Sequence, residues 1–429
     1  MSAKIKFQAL SGMRDILPED QKYFQKIYNI CEEIAAFYGF NKIDTPILEE
    51  TDLYEKGTGL STDIVQKQMF TLRTKGGDSL ALRPEFTPGI VRAYLEHGMA
   101  SWPQPVKLYS IGPAFRYERP QAGRFRQFQQ FNLEVIGEAS PAIDAEVIQL
   151  FYNILNEIKL KNIVVEVNSI GDNQCRPYYK KLLLSYFKSR TLSLCPDCRR
   201  RLKDNPLRIL DCKEEKCQKI ISQAPQIIDH LCESCHSHFK TVLEFLDEIE
   251  LPYQLNPYLV RGLDYYTKTV FEMGFESEKN KEKTDSVLGG GRYDLLIKLL
   301  GGEQTPATGG ALGIDRLVYL LKSNQIKIPY RSANLPVFIA QLGITAKAKG
   351  LKLLEDFRKS KIQAAASLGR DSLKAQLKIA DKLKVKYALL LGQKEVLEGT
   401  IIIRDMKTGK QKTVALEKAV KEIKKKLKK

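Results

Sequence analysis

The chain has 429 residues, of which 43% are hydrophobic and 28% charged, and this composition is typical of a globular protein with two or three domains. It contains no run of about 18 apolar residues, which excludes a transmembrane helix. The N-terminus lacks the long apolar core of a signal peptide. We therefore expect a cytoplasmic protein that does not bind a membrane.

The net charge of +17 is concentrated at the end of the chain. Residues 335–429 contain 24 basic and 9 acidic residues, whereas the preceding residues contain 44 basic and 42 acidic ones. A basic terminal domain on a nearly neutral body indicates binding to a polyanion, and nucleic acid is favoured over a membrane. A general use of lysine on all surfaces would not produce this asymmetry.

Apolar spacing and turn residues predict the elements of the first part of the chain in order. They are a helix over 20–38, a strand over 40–48, a hairpin over 69–82, a helix over 87–97, a strand over 106–111, a helix over 142–159, and strands over 162–169, 258–261 and 270–275. Pro46 falls inside the second of these, which argues for an edge strand at a subunit boundary. We predict one largely antiparallel α+β domain over 1–325, interrupted by a polar, helical insertion at about 173–251.

A linker is predicted over 326–334, and the pattern changes beyond it. Strands and helices then alternate through residues 335–429, ending in a lysine-rich helix. This alternation predicts a separate three-layer α/β domain.

The stretch 115–137 predicts an antiparallel hairpin whose turn contains Pro120 and Gly123. It carries four arginines and three phenylalanines, namely Arg116, Arg119, Arg124, Arg126, Phe125, Phe128 and Phe131. Guanidinium groups suit phosphates and aromatic rings suit purines, so the hairpin indicates a nucleotide site, with a solvated basic hairpin as the alternative. The chain lacks both GxxxxGK[ST] and a GxGxxG after a strand, so neither common phosphate-binding loop explains it.

Six of the eight cysteines and three of the four histidines lie between residues 195 and 238. Two C-x2-C pairs flank a C-x4-C pair, and this spacing is compatible with a structural zinc site. The candidate ligands are Cys195, Cys198, Cys212, Cys217, Cys232 and Cys235, with His230, His236 and His238 in addition. Reduced free thiols are the alternative, because disulfides are not expected in the cytoplasm.

Several of these segments resemble motifs of class II aminoacyl-tRNA synthetases. Phe115-Arg116-Tyr117-Glu118 is similar to motif 2, residues 309–317 (GGALGIDRL) are similar to motif 3, and residues 38–48 resemble motif 1 at the dimer interface. Residues 259–266 (LVRGLDYY) and 289–294 (GGGRYD) resemble the two signature peptides of the histidyl-tRNA synthetase family. The matching tetrapeptides and tripeptide elsewhere are GMRD at 12–15, RPE at 83–85 and NSIG at 168–171.

The resemblance covers the whole chain, and it implies both a fold and an activity. The fold is an antiparallel-sheet catalytic domain with a helical insertion, followed by an anticodon-binding domain over 335–429. The activity is a ligase that converts L-histidine and ATP to histidyl-adenylate and pyrophosphate, then transfers histidine to the 3′ end of tRNA(His). Mg²⁺ and a homodimer are implied as well.

Two rival functions agree less well with the sequence. A histidine-binding regulatory paralogue of a phosphoribosyltransferase lacks the C-terminal domain and catalytic arginines, whereas this chain has residues 335–429 and Arg261. A class II synthetase for another amino acid is disfavoured by the LVRGLDYY peptide and by Glu134 together with Tyr266.

The resemblance also implies roles for individual residues. Arg116 would hold the α-phosphate of ATP, Glu118 the adenine amino group, and Arg316 the γ-phosphate. The implied ATP-binding set is Arg116, Glu118, Arg124, Phe128 (stacked on adenine) and Arg316. Arg261 would lie between the histidine carboxylate and the α-phosphate, where a fixed guanidinium offsets developing charge in place of a metal ion. Arg116, Arg261 and Arg316 form the implied catalytic set.

The histidine-binding residues follow from the same resemblance. Glu85, Thr87 and Gln130 would bind the ammonium group, while Glu134 and Tyr266 would address the two imidazole nitrogens. The remaining implied contacts are Arg116, Arg261, Tyr265 and Tyr293. For Glu134 the alternative is a polar strand residue, and for Tyr293 a ring packed beneath a loop.

In the hairpin turn, Arg119 and Gln121 resemble residues that read the tRNA acceptor end, with a solvated turn as the alternative. Phe86 stands where many bacterial members have glycine.

Overall fold

The computed structural model describes residues 7–277, 280–326, 335–369 and 371–427, and of residues 276–277 and 280–285 the backbone alone. The chain divides into two compact units, Met1–Ile328 and Pro329–Lys429. Apart from Ile326, the predicted linker over 326–334 lies outside the described residues, so the domain limits stay predictions. Among the helices of the described ranges, none has the length and apolar content needed to cross a membrane.

The first unit combines helices with mainly antiparallel strands. Its helices are α1 Pro18–Phe37, α2 Thr51–Thr58, α3 Thr87–Glu96, α4 Pro141–Glu157, α5 Arg176–Lys188, α6 Pro196–Asp204, α7 Glu215–Ile221, α8 Glu233–Glu248, α9 Leu296–Leu299 and α10 Ile314–Ser323. Its strands are β1 Asn41–Lys42, β2 Leu48–Glu50, β3 Phe70–Arg73, β4 Ser79–Leu82, β5 Val106–Phe115, β6 Gln127–Ile136, β7 Ile163–Ser169, β8 Gln254–Leu255, β9 Thr267–Ser277, β10 Asn280–Arg292 and β11 Ala307–Gly313.

Within the described residues, the strands of this unit form two sheets. The larger has eight strands in the order β1-β5-β6-β11-β10-β9-β7-β8, and the smaller has the order β2-β4-β3. Neighbours in the larger sheet are antiparallel, except for the parallel edge pairs β1–β5 and β7–β8. The α+β class and the antiparallel hairpin predicted from the sequence are thus confirmed, with Val106 opposite Ile136 and Phe115 opposite Gln127.

The two faces of the large sheet bury different side chains, because successive residues of a strand point to opposite sides. On β6, Phe131, Leu133 and Val135 pack into a core shared with α1, α4, α8 and α10. On the other face, Leu108 and Ile136 belong to a second core that includes α3 and the helices α5 to α7 of the predicted insertion. The even-numbered residues of β6 therefore lie on the face away from α1 and α4.

Three strand interpretations need correction. Of the predicted strand 40–48, only Asn41–Lys42 and the residue Leu48 are in strands, and the two pieces belong to different sheets. Segment 258–261 is irregular; there the Leu259 carbonyl accepts a hydrogen bond from the Asn168 side chain (2.9 Å) in place of a strand partner. The strand predicted over 270–275 is too short, since β9 runs from Thr267 to Ser277, and the polar residues from Asn280 onwards belong to β10.

The segment predicted as an insertion is helical, as expected, and contains α5 to α8. Its last helix is not confined to the insertion, since Phe239, Val242 and Leu246 of α8 enter the main core beside α4. The insertion therefore ends on a helix that it shares with the body of the unit.

The second unit is a sheet between two helical layers. Its elements are β12 Val337–Gln341, α11 Ile344–Lys359, β13 Ala364–Ala366, α12 Leu373–Lys382, β14 Tyr387–Leu391, α13 Gln393–Leu397, β15 Thr400–Asp405, β16 Gln411–Ala415 and α14 Ala419–Leu427. The strand order is β13-β12-β14-β15-β16. Val337 and Ile339 pack with α11 and α14, whereas Phe338 and Ala340 pack with α12, so the three-layer prediction is confirmed.

Candidate active site

A cavity of about 230 Å³ opens on the face of the large sheet opposite α1 and α4. Strands β6, β10 and β11, the turn between β5 and β6, and the irregular segment around 261–266 form its walls. Eleven of the thirteen predicted site residues line it: Glu85, Thr87, Arg116, Glu118, Arg124, Phe128, Gln130, Arg261, Tyr265, Tyr266 and Arg316. Residues from five separate parts of the sequence thus meet in one cavity.

Strand β6 supplies one wall through alternate residues. Phe128, Gln130 and Asn132 line the cavity, whereas Phe131 between them is buried in the opposite core. The side-chain oxygens of Gln130 and Asn132 are buried and lack hydrogen-bond partners within the described part of the chain. A buried acceptor without a donor is costly, so these oxygens indicate a place for a polar ligand.

Two of the four hairpin arginines, Arg116 and Arg124, line the cavity. The Arg116 Nε donates to the Pro84 carbonyl (2.9 Å), and its guanidinium lies 5.6 Å from the centre of the Phe128 ring. Arg124 and Glu118 form a loose ion pair with an N···O distance of 3.7 Å. These contacts orient the arginines without neutralising them fully, which leaves positive charge for an anion.

Arg261, from the irregular segment around 261–266, also lines the cavity. Its guanidinium pairs with Glu272 (2.7 Å) and covers Gly289, where an added Cβ would come within 2.2–2.3 Å of the guanidinium atoms. Burial would lower the pKa of Arg261, but nearby acidic groups, Glu272 first among them, together outweigh it and the net pKa is raised. The Nε is buried without a hydrogen-bond partner in the described ranges. A permanently charged, fixed guanidinium with an unused donor is therefore available in the cavity.

Glu85 provides an acidic group in the same cavity. Its carboxylate accepts hydrogen bonds from Tyr265 (2.9 Å) and Thr58 (3.1 Å). Burial raises the pKa of Glu85, and the Arg116 charge opposes that rise. Burial also raises the pKa of Tyr266 to about 12, so its hydroxyl is a neutral hydrogen-bonding group.

Glu134 and Tyr293, the other two predicted residues, are buried and do not line the cavity. The Glu134 carboxyl is 2.5 Å from the Thr87 hydroxyl and is hydrogen-bonded to the Tyr293 hydroxyl. It lies over Gly309, where any side chain would collide with it. In this structure Glu134 is thus joined to Tyr293 rather than to Tyr266. Its role toward a ligand stays a prediction.

The pKa of Glu134 predicts a specific dependence of stability on pH. Burial raises it from 4.5 to about 8, so the folded protein binds a proton that the unfolded chain releases between these values. The free energy of unfolding therefore falls as pH rises across this window, with a limiting slope of about 1.4 kcal/mol per pH unit. We expect Glu134→Gln to lack this component, so that its stability relative to wild type increases from pH 5 to pH 8 and then levels off.

Urea unfolding at a series of pH values measures this difference. Glu303→Gln, at an exposed position in the same unit, is the matched control. We expect its free energy of unfolding to differ from that of the wild type by the same amount at every pH. A constant difference for Glu134→Gln as well would contradict the assignment.

The sequence did not single out every residue at the site. Asp315 lines the cavity, accepts the Gln129 backbone N–H (2.5 Å) and pairs with Arg14 (2.8 Å). Arg14 belongs to the GMRD peptide, which matched the family without an assigned role. By contrast, Phe86 is buried in the core beneath Arg83 and does not line the cavity. The turn residues Arg119 and Gln121 are exposed, and their role in reading the tRNA acceptor end stays a prediction.

Arg292, in the GGGRYD peptide, lies outside the cavity. Its side chain is fully buried and pairs with Asp144 (2.8 Å) and Asp294 (3.2 Å). The same Asp144 carboxylate is 2.8 Å from His238 Nε2. His238, predicted as an additional zinc ligand, therefore belongs to this buried network. The peptide combines Gly289, which lines the cavity, with an arginine that holds α4 against the sheet.

The cysteines predicted as zinc ligands are not all together. Cys195, Cys198, Cys212 and Cys217 form one group, whereas Cys232 and Cys235 belong to another with Asp172 and Cys175. The other predicted histidine ligands are elsewhere: the His230 ring contacts Tyr178 and Tyr179, and His236 is exposed.

Comparisons with known proteins agree with the motifs and the cavity. The sequence profile described as Histidyl-tRNA synthetase matches residues 12–172 and 197–317, and the profile described as Anticodon binding domain matches 336–426. A curated histidine–tRNA ligase of Dehalococcoides mccartyi is 43% identical over 98% of this chain and 100% of its own length. One of Caldicellulosiruptor bescii is 43% identical over 99% and 100%.

A solved structure gives the same result in three dimensions. The crystal structure of apo histidyl-tRNA synthetase from S. aureus has a TM-score of 0.80 and 36% sequence identity, and the match covers 97% of this chain and 100% of that one. The full-length matches and the arrangement of motifs 2 and 3 around one cavity lead to a single conclusion: this chain belongs to the histidyl-tRNA synthetase family.

Proposed function

We propose that this chain is a histidine–tRNA ligase that acts in two steps. Histidine and ATP first give histidyl-adenylate and pyrophosphate, and the terminal ribose of tRNA(His) then takes the histidyl group. The observation that carries this proposal is one cavity with four arginines on its walls and a carboxylate, Glu85, among buried hydroxyl and amide groups. Such a cavity suits a polyphosphate and a zwitterionic amino acid together.

ATP is the substrate proposed for the hairpin end. Arg116 and Arg316 are placed on the α- and γ-phosphates, since guanidinium groups form paired hydrogen bonds to phosphate oxygens. The Phe128 ring, already beside the Arg116 guanidinium at 5.6 Å, is placed against adenine. Glu118 and Arg124 complete this end of the cavity.

Histidine is proposed to bind between Glu85 and Glu134. Its ammonium group pairs with Glu85, and Gln130 offers a buried side-chain oxygen that lacks a hydrogen-bond partner among the described residues. Thr87 links the two ends, because it lines the cavity and bonds Glu134. Glu134 and Tyr266 are assigned to the imidazole, with Tyr265 and Tyr293 supporting the two carboxyl groups through hydrogen bonds.

The chemistry proposed for the first step centres on Arg261. A carboxylate oxygen of histidine attacks the α-phosphorus, a new O–P bond forms, and the bond from that phosphorus to the pyrophosphate oxygen breaks. Negative charge grows on the phosphoryl oxygens during this displacement, and preorganised cationic donors stabilise it. Arg261 fits this role because the ion pair with Glu272 fixes its guanidinium, and because its Nε–H has no hydrogen-bond partner among the described residues.

Mg²⁺ fits this cavity as a companion of ATP. It prefers substrate phosphates, water and one or two carboxylates over an all-protein cage. The acidic groups that line the cavity have other partners: Glu85 is bonded to Tyr265 and Thr58, Asp315 to Gln129 and Arg14, and Glu118 pairs loosely with Arg124. The ion would therefore be held mainly by the phosphates and water. When bound, the ion would reduce the charge on the phosphates that leave as pyrophosphate.

The remaining partners are proposed on charge and exposure. Residues 335–429, with 24 basic and 9 acidic residues, are assigned to the anticodon arm, whose binding should weaken with salt. A homodimer is proposed because Phe37, Ile47 and Leu48, in and beside the motif 1 segment, expose large apolar side chains. A monomer in sedimentation equilibrium at micromolar concentration would contradict it. The proposed location is the cytoplasm, where aminoacyl-tRNA is used.

Amino-acid-dependent exchange of pyrophosphate into ATP tests the proposed function. We expect exchange with histidine and at least a hundredfold less with each other standard amino acid, because a cavity lined by specific polar partners rejects analogues that leave them unpaired. Charging of tRNA(His) should accompany it. Exchange driven by another amino acid, or histidine binding without exchange, would favour one of the two rival functions instead.

A further inference from the structure

Two groups of potential metal ligands lie in and beside the helical insertion, outside the proposed active site. In each group the four ligand atoms lie within 4.8 Å of one another. The first contains Cys195, Cys198, Cys212 and Cys217, and the second contains Asp172, Cys175, Cys232 and Cys235. We call them the four-cysteine group and the three-cysteine group.

The four-cysteine group has the geometry of a thiolate site. Zn–S bonds of about 2.3 Å in a tetrahedron separate the sulfurs by roughly 3.8 Å, and Cys195 Sγ and Cys212 Sγ are 3.8 Å apart. All four residues are buried. Backbone N–H groups of Cys198 and Cys195 point at sulfurs, of Cys195 (3.4 Å) and Cys217 (3.3 Å) respectively. Such N–H···S bonds orient metal-bound thiolates and compensate their charge.

The three-cysteine group repeats this design with one carboxylate. Its ligands come as two pairs separated by two residues, Asp172 with Cys175 and Cys232 with Cys235, and Cys175 and Cys232 immediately precede α5 and α8. Asp172 Oδ1 is 3.6 Å from Cys175 Sγ and 3.9 Å from Cys232 Sγ, while the Asp172 N–H donates to Cys175 Sγ (3.3 Å).

Gly171 shows how closely this group is built. Its φ of +64° is in the left-handed region, and a Cβ added there would lie 2.5 Å from Cys175 Sγ. Only glycine allows the chain to turn at this point and pass so near the sulfur.

Free thiols and disulfides explain these groups less well. All eight cysteines are unbridged, and the 3.8 Å separation is far beyond a disulfide bond of about 2.05 Å. Neutral thiols are weak hydrogen-bond acceptors, yet each group has backbone N–H groups aimed at sulfur. Thiolate-rich tetrahedral sets select zinc or iron, and a mixed set of three sulfurs and one oxygen suits zinc.

We propose that this chain holds two structural zinc ions, one in the four-cysteine group and one in the three-cysteine group. The first would join the start of α6 to the segment that leads into α7. The second would join the chain leaving β7 to the starts of α5 and α8, and so fasten the insertion to the body at both of its ends. This inference does not depend on the reaction catalysed.

The second ion has a consequence for the active site that does rest on the proposed function. Arg176 follows Cys175 directly, and its guanidinium donates to the carbonyl of Ile170 (3.3 Å) and to that of Tyr266. Metal at Cys175 would therefore hold a positioning arginine against the backbone of a residue assigned to the imidazole. Loss of this ion is expected to raise KM for histidine at least fivefold with a smaller change in kcat.

Metal analysis of the purified full-length chain tests the proposal, with zinc supplied during expression and the protein then dialysed exhaustively. We expect two zinc ions per chain, one in Cys198→Ser, one in Cys235→Ser and none in the double variant. Cys31→Ala is the matched control, since Cys31 is buried in α1 apart from both groups, and it should keep both ions.

A second measurement keeps the test valid if a variant fails to fold. Replacement of zinc by Co²⁺ in the wild-type chain should give thiolate-to-cobalt absorption from seven thiolates on two tetrahedral ions. A wild-type chain that contains only one ion, which Cys235→Ser retains, would overturn the three-cysteine site. A chain without metal would overturn both sites, and iron in place of zinc would overturn the choice of metal.

Discussion

The Arg261→His variant is expected to lose on the order of 10²–10³-fold in kcat for histidine-dependent pyrophosphate exchange. At pH 8 an ordinary imidazole is neutral, so the variant keeps a ring at this place but removes the permanent charge. Arg261 is proposed to act on charge that develops in the transition state, so KM for histidine should change by less than kcat. Exchange kinetics with the histidine and ATP concentrations varied separately measure the two effects.

Glu272→Gln is the informative companion to this variant. Glu272 holds Arg261 at 2.7 Å and does not line the cavity, so its replacement should loosen the guanidinium and cost less than its removal. Unchanged melting temperatures would show that both variants are folded. If Arg261→His exchanged pyrophosphate at the wild-type rate, its assigned role would be refuted.

The Arg292→Met variant is expected to lose about 3–5 kcal/mol of unfolding free energy, because it leaves a buried charge without its partner. Arg292 is fully buried and pairs with Asp144, which is itself only 1% exposed. Burial alone would raise the pKa of Asp144, but Arg292 and a hydrogen bond from His238 hold that pKa below its usual value. Without Arg292 the carboxylate must stay charged in the core or take up a proton, and either costs stability.

Urea unfolding of the full chain, followed by a probe of the first unit, measures this loss. The exposed Arg73→Met, in the same unit, is the control with the same change of residue type, and we expect it to cost less than 1 kcal/mol. An equal and small effect of both substitutions would mean that the Asp144–Arg292 pair contributes little to stability.

Sequence patterns predicted those parts of the fold that are determined locally. Strand alternation located β6, and helical spacing located α1 within two residues at each end. The strand predicted over Tyr258–Arg261 is wrong because the apolar residues of this segment pack beside the insertion, and the side chain of Asn168, about 90 positions away, donates a hydrogen bond to the Leu259 carbonyl. A window of neighbouring residues contains no sign of that partner.

The site residues, too, divide into those that local sequence motifs identify and those that depend on distant contacts. Residues inside recognisable motifs, such as Arg116 and Arg261, were placed in one cavity by resemblance. Asp315 was missed because its importance depends on Arg14, a partner 301 positions away. The cysteines show most clearly that distant partners are not visible in the sequence, since spacing identified the pairs but not which pairs share an ion. Asp172 became a candidate ligand only when the fold brought it beside Cys175 and Cys232.

The placement of Phe128, Gln130 and Glu134 on a single strand constrains how this protein can vary. Residues on one face of a strand repeat every two positions, so backbone pitch separates Phe128 from Glu134 by about 20 Å. One inserted or deleted residue within β6 would turn every later side chain to the opposite face of the sheet. Side chains along β6 can therefore be exchanged one at a time, whereas changes of chain length are confined to the turn at 116–126. The distance between the proposed adenine and imidazole ends is thus a property of the main chain.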